Sequence, residues 1–298
     1  MKKHPLALAI GVCALIVALF GGALVFIKPG LRPEALFGGK IAVLPVTGLI
    51  SSSKEFNEYL IRLRRDDSVK AIIIRLNSGG GGAAASQEMY MEVARTAKVK
   101  PVVASMGGVA ASGAYYLSAA CSKIVAAPAT ITGSIGVIST IPDLHQLLEK
   151  VGVKVQVLRS GELKGGGMLS RPLSPAERAN FQELIDQTYQ QFVSDVAKGR
   201  HLPVDKVKAL ANGGIYTGAK AKELGLVDQL GNFEDAVKLA ARLGGIKGRP
   251  TVVWPEKKGG FWAELLRDQA RTLVKDLAAD LGLLPGLSFR WPASPLNP

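Results

Sequence analysis

The sequence predicts an α/β protein with a largely parallel sheet, and two observations carry that prediction. Short runs rich in β-branched residues alternate with amphipathic segments of helical period, which is the pattern of βαβ units. The composition also suits a packed interior: with 298 residues, 48% of them apolar and 20% charged, the chain can bury one main domain with appendages and is not disordered.

Taken in order, the chain opens with a membrane signal. Leu6 to Ile27 is an uncharged run of 22 residues behind Lys2, Lys3 and His4, close to what a bilayer-spanning helix needs. It is long for the apolar stretch of a signal peptide, and no A-x-A cleavage site closes it. The expectation is a retained anchor over residues 1–27. Lys28, Arg32 and Lys40 lie beyond it, so flanking charge barely orients the helix. Residues 28–39, with Pro33 and paired glycines, read as a linker to a domain over 40–250. Lys40–Val46, Ala71–Leu76, Pro101–Ser105 and Lys123–Ala126 are predicted strands. Lys54–Arg65, Ala83–Ala97, Gly113–Ala120 and Pro142–Val151 are predicted helices between or after them. The clearest helix starts at Pro175, where Ser174 and Glu177 form a capping-box pattern, and Gly199 is expected to end it. Shorter helices follow over Val204–Ala211 and Ala219–Leu224. In the last region, 251–298, Phe261–Leu281 aligns Trp262, Leu265, Leu273 and Leu277 in one stripe, an amphipathic helix suited to docking on the body or on a neighbouring subunit. A proline-rich tail closes the chain.

Composition narrows the function classes. Cys13 lies in the apolar run and Cys121 alone is in the body, so no disulfide can form inside the domain. The net charge of +13 admits an anionic partner, but no interleaved aromatic and basic motif or zinc spacing supports nucleic acid. Positive charge equally suits a domain tethered beside anionic headgroups.

The chemistry-bearing residues fall at the carboxyl ends of predicted strands, where open parallel sheets bind ligands. Ser112, in Val109-Ala110-Ala111-Ser112-Gly113-Ala114-Tyr115-Tyr116, is flanked by small residues and precedes a helix whose first N–H groups are free, as a nucleophile requires. Asn77-Ser78-Gly79-Gly80-Gly81-Gly82 follows a buried apolar strand and can expose N–H groups to an oxyanion. It lacks a P-loop lysine, so nucleotide binding is not indicated. The chain has three histidines: His4 precedes the apolar run, His201 follows the long helix in a polar turn, and His145 remains as a candidate base. Lys164, in Ser160-Gly161-Glu162-Leu163-Lys164-Gly165-Gly166-Gly167, is the stronger candidate. Its glycines permit close approach to another strand or subunit, and a desolvated lysine can act as a base near neutral pH. No metal and no nucleotide is required.

These motifs, together with Thr132-Gly133-Ser134-Ile135-Gly136-Val137 and Gly214-Ile215-Tyr216-Thr217-Gly218 leading to Leu224-Gly225-Leu226-Val227-Asp228, resemble those of the signal peptide peptidase A family. Those are membrane-anchored Ser-Lys serine proteases that share a fold with Clp protease and crotonase, and the resemblance covers about residues 40–245. It implies Ser112 as nucleophile, Lys164 as general base, Gly80 and Gly113 as oxyanion donors, and Ser134 as a hydroxyl that helps hold the lysine. Implied too are signal peptides and other unfolded apolar segments as substrates, no cofactor, an extracytoplasmic domain at the cell (inner) membrane, and a ring-like homo-oligomer. In such a ring the dyad can be shared between subunits. The chain departs from the family in having Gly79 where proline is usual, Ala114 where a second glycine is usual, and Ser122 where aspartate is usual; from about residue 250 no motif aligns. Two alternatives stay open: a membrane protease of the stomatin-partner type, and a silent membrane-tethered binding module.

Overall fold

A computed structural model describes residues 39–255 and the backbone of Ser288–Arg290. The expected anchor, most of the linker and the expected helix at 261–281 lie outside the described residues. Among those described, no helix is long and apolar enough to cross a membrane.

Nine strands form one sheet. β1 (Lys40–Ile50), β2 (Val69–Gly82), β3 (Val102–Ala111), β5 (Ile131–Gly133), β6 (Ile215–Thr217) and β8 (Thr251–Val253) lie in the order β6-β5-β3-β2-β1-β8. β4 (Lys123–Ala126) shares the outer edge of β3 with β5 and pairs with β7 (Gln229–Leu230), while β9 (Ser288–Arg290) pairs with β2. All pairings are parallel except β5 with β6 and β2 with β9.

Burial on both faces explains the unbroken apolar strands. Ile72, Ile74 and Leu76 of β2 pack to one side with Ala42 and Leu44, beneath α1 (Lys54–Arg65), α2 (Ala83–Ala97), α3 (Gly113–Ala119) and α5 (Pro175–Arg200). Ile73 points to the other side with Ile41, Val43 and Val103, under α8 (Phe233–Leu243), the one helix packed on that face among the described residues. Each fully buried isoleucine contributes roughly 1.5–3 kcal/mol. The remaining helices, α4 (His145–Lys150), α6 (Val204–Leu210) and α7 (Gly218–Glu223), lie towards the edges.

α1 and α2 have the boundaries the sequence predicts, whereas α4 is shorter than the predicted 142–151. The capping box of α5 forms: Ser174 Oγ accepts from Glu177 N–H at 3.2 Å, and the Glu177 carboxylate accepts from Ser174 N–H at 2.9 Å. Gly199 does not end this helix. A Cβ there would lie 2.1 Å from the Ala119 carbonyl oxygen, so glycine serves the close crossing of α5 and α3, and His201, left-handed at φ 55°, closes the helix. The glycine run after Leu76 is the end of β2 itself and not a loop, held in line by pairing with β1 at Gly80 and Gly81.

Candidate active site

The site arises where β2 and β3 part. They run in register to Leu76↔Met106; Gly107 and Gly108 then make β3 bulge, and the last pair is Ser78↔Ala110. Beyond it β2 carries its glycines onward beside β1, while β3 turns along β5 through Ala111↔Gly133 to end at Ser112. The two strands no longer pair beyond this point.

Ser112 occupies a sharp elbow with φ 55° and ψ −119°, a conformation costing a serine about 1–3 kcal/mol. Its surroundings impose that geometry. Ser112 N–H donates to the Gly133 carbonyl at 2.8 Å, and Ser112 C=O accepts from Tyr116 N–H at 2.8 Å. α3 behind it is buried throughout, with Tyr115 OH donating to the Leu226 carbonyl at 3.0 Å and Tyr116 OH to Asp195 at 2.6 Å. Ser112 itself is 0% exposed, and its Oγ has no hydrogen-bond partner among the described residues.

Gly113 is a glycine of necessity. A Cβ there would lie 2.3 Å from Ser86 Oγ and 3.2 Å from Gly81 N. The backbone of Gly113 therefore sits against the Gly81 amide. Gly80, the donor expected in the glycine run, instead gives its N–H to Ser78 Oγ at 3.1 Å, and Ser78 Oγ donates onward to the Gly48 carbonyl at 2.6 Å. Asn77 Oδ1 accepts from Val109 N–H at 3.3 Å, tying the two strands where they part. Sequence reasoning missed Ser78 and Gly81. A polar side chain just ahead of a glycine run is the signal that could have pointed to a loop organiser.

Ser134 is buried next to the same carbonyl that holds Ser112. Its φ is 50°, and its N–H donates to the Gly214 carbonyl at 2.8 Å. Its motif positions the elbow through Gly133.

The structure does not bring Lys164 to Ser112 within one chain. Lys164 is exposed on a turn, and its Nζ makes no hydrogen bond or ion pair among the described residues. The turn is anchored from behind by the buried Glu177, whose carboxylate accepts from Arg159 at 3.1 Å and from both terminal nitrogens of Arg171; Arg171 also donates to the Gly165 carbonyl at 3.2 Å. Arg171, together with the Ser174 N–H, holds the Glu177 carboxyl down at about 2. Between β5 and α5 the chain exposes Leu147, Val151, Val153, Val155, Leu158 and Leu163, with Leu158 99% exposed. His145 is also on the surface, its Nδ1 2.6 Å from Asp143 Oδ1, and is not bonded to Ser112. Among the described residues no group of three or more His, Cys, Asp or Glu could hold a metal ion.

Comparison with known proteins supplies the context for this geometry. The profile of peptidase family S49 matches residues 94–247. A putative protease of Synechocystis sp. is 45% identical over 208 residues, 70% of this chain and 75% of that one. A putative protease of Methanocaldococcus jannaschii is 35% identical over 281 residues, 88% of this chain and 90% of that one. A putative signal peptide peptidase SppA of Enterococcus faecium is 40% identical over 220 residues, 68% of this chain and 63% of that one.

Proposed function

The chain belongs to peptidase family S49 and is a serine protease, and from that premise we propose that Ser112 is its nucleophile and Lys164 of a neighbouring copy its general base. The observation that carries this is Ser112 itself: a serine held at positive φ on a strand-to-helix elbow, its hydroxyl buried and unpartnered. Strain of that kind persists where the surroundings over-determine it, and it clusters at active sites.

In the proposed reaction the neutral Lys164 amine takes the Ser112 proton as Oγ attacks a peptide carbonyl. Charge develops on the carbonyl oxygen and meets backbone N–H groups. Gly113 is one donor, following the nucleophile directly; Gly81 is the other, because it lies against Gly113 while the Gly80 N–H is engaged by Ser78. The lysine returns its proton to the leaving amine, and water then hydrolyses the acyl-enzyme with the same lysine as base. Ser134 supports the base side of this arrangement.

Sharing of the dyad is supported by the exposure of Lys164 and by the apolar side chains on the same arm. Closed rings are the usual outcome of head-to-tail contacts between identical subunits. Docking would also take the ammonium out of water, which favours the free amine. The proposal extends to a domain over 40–250 in the Clp protease and crotonase fold, tethered extracytoplasmically through residues 6–27, acting on signal peptides and other unfolded apolar segments. The apolar run and the relative named as a signal peptide peptidase support it.

The test is peptide cleavage by the full chain in detergent. Ser112→Ala, Lys164→Ala and Lys164→Arg should each lose about 10³-fold or more in kcat, arginine because it stays charged. Mixing the two inactive alanine variants should restore about a quarter of parental activity, the share of sites that pair an intact serine with an intact lysine across an interface. Variants that cut as fast as the parent would overturn the dyad; no recovery on mixing, with subunit exchange verified, would place both residues in one chain.

A further inference from the structure

Among the described residues two buried hydroxyls have no hydrogen-bond partner, and both meet at Gly113. One is Ser112 Oγ, on the residue before it. The other is Ser86 Oγ, on α2, which a Cβ on Gly113 would crowd at 2.3 Å. Gly81 N lies 3.2 Å from that same Cβ position, so the Ser86 hydroxyl stands beside both backbone groups that the proposed reaction uses. Ser86 is 0% exposed.

A serine within a helix ordinarily satisfies its hydroxyl on the carbonyl four residues back. Ser118 of α3, equally buried, does so by donating to the Ala114 carbonyl at 2.7 Å. The other buried serines of the sheet are partnered as well: Ser78 Oγ lies between the Gly80 N–H and the Gly48 carbonyl, and Ser105 Oγ accepts from Arg75 at 2.9 Å. Ser86 leaves its hydroxyl unused. Keeping a buried hydroxyl unpaired costs stability, and the three alanines before it, Ala83, Ala84 and Ala85, show that this turn of helix accepts a methyl group. A donor left idle against reacting backbone is what a functional site retains.

We infer that Ser86 is a third donor to the oxyanion, its hydroxyl giving a hydrogen bond to the charged oxygen alongside the N–H groups of Gly81 and Gly113. The inference rests on the proposed roles of Ser112, Gly81 and Gly113. All three groups gathered here can donate, and what suits them together is one acceptor oxygen. A substrate carbonyl has two lone pairs, which the two N–H groups occupy, whereas the oxygen of the tetrahedral intermediate carries a third pair and accepts a third donor. The Ser86 bond is therefore made as charge develops, and the proton stays on Ser86 throughout. An interaction of that kind raises kcat and leaves KM alone.

The experiment compares the full chain with Ser86→Ala, reading kcat and KM on one apolar peptide, the affinity of a peptide aldehyde, and the thermal midpoint. Ser86→Ala should lower kcat about tenfold at unchanged KM, less than the roughly 10²- to 10³-fold lost with a principal oxyanion donor. The aldehyde, whose adduct with Ser112 places an oxygen in the same pocket, should bind more weakly by about the same factor, while the matching peptide alcohol binds as before. The midpoint should not fall, since the change removes an unpaired buried hydroxyl. A kcat within twofold of the parent overturns the inference, as does a lower kcat accompanied by a lower midpoint or a raised KM, which marks Ser86 as a packing residue. Ser112→Ala, run alongside, separates the two ideas: if it cleaves like the parent the site assignment fails, and if it is inactive while Ser86→Ala is parental, the third donor alone fails.

Discussion

The elbow of Ser112 and the turn of Lys164 serve one proposed reaction, yet they are built in opposite ways. Ser112 is fixed by the sheet: its N–H is held by Gly133 of β5, the next residue packs on Ser86 and Gly81, and the helix behind it is anchored by Tyr115 and Tyr116. Lys164 sits on an exposed arm with α4 as its one regular helix among the described residues, gathered at its base by the Glu177 carboxylate. Under the proposed function the nucleophile is complete in each chain, whereas the base depends on surroundings that a neighbouring copy would supply. Catalysis should be sensitive to sub-ångström packing on the first side and to electrostatic anchoring on the second.

The sharpest blow to the first side is Gly113→Ala. The added methyl meets Ser86 Oγ at 2.3 Å and must push the elbow away from the Gly81 amide. Displacing one oxyanion donor should lower kcat about 10²- to 10³-fold. Adding Ser86→Gly removes the obstructing hydroxyl and should return part of that loss, a coupling readable in a double-mutant cycle of kcat. If Gly113→Ala keeps parental kcat, the elbow is less constrained than its packing implies.

Glu177→Gln tests the second side and should do less. It keeps the shape of the side chain but removes the charge that gathers Arg159 and Arg171, so the Lys164 turn loosens while Ser112 is untouched. kcat should fall about tenfold, in line with a loss of charged hydrogen bonds. Labelling of Ser112 by a small serine-reactive probe should slow in step with kcat, since the same base activates it. The parent chain carries the same test in its pH dependence. The Glu177 carboxyl is depressed from 4.5 to about 2, so its contribution is fully present above about 4.5 and is lost as the pH falls through 2. Limited proteolysis of the 159–171 turn should rise over that window in the parent and be flat in Glu177→Gln. Equal curves would remove Glu177 as the anchor.

The same contrast governs what could be read from the sequence. α1 and α2 were legible to the residue because an amphipathic period and its flanking breaks are local signals. Ser112 was legible for a similar reason, since small residues must surround an elbow. α8 was overlooked although Asn232 and Asp235 form a capping box, and it is the helix that covers the second face of the sheet. The glycine run resembles a loop because glycine favours no strand; pairing with β1 and β9 draws it into one, and no local property foretells that. Gly199 carries the mark of a helix end but answers a neighbouring carbonyl that no local pattern could reveal, namely that of Ala119. The spacing of Ser112 and Lys164 could not be converted into a distance, since Lys164 stands on an exposed surface turn and not on the sheet.

His145 offers the smallest expected effect and the most direct check on which side supplies the base. It is the histidine the sequence leaves as a rival to Lys164, and its surroundings argue against that role in a specific way. Its ring faces Asp143, two residues before it on the surface, at 2.6 Å, and that hydrogen bond holds the Asp143 carboxyl below its ordinary range. A histidine so paired is a local turn-stabilising device at the start of α4, which also receives the His145 N–H on Asp143 Oδ1 at 3.1 Å. Replacing it with alanine removes an exposed surface pair, which should loosen the start of α4 slightly and change kcat less than twofold. The informative result is the comparison of His145→Ala with Lys164→Arg, each made alone. If His145 were the base, Lys164→Arg would keep activity and His145→Ala would abolish it; with Lys164 as base the order is reversed, and a pH–rate profile of His145→Ala should overlay that of the parent.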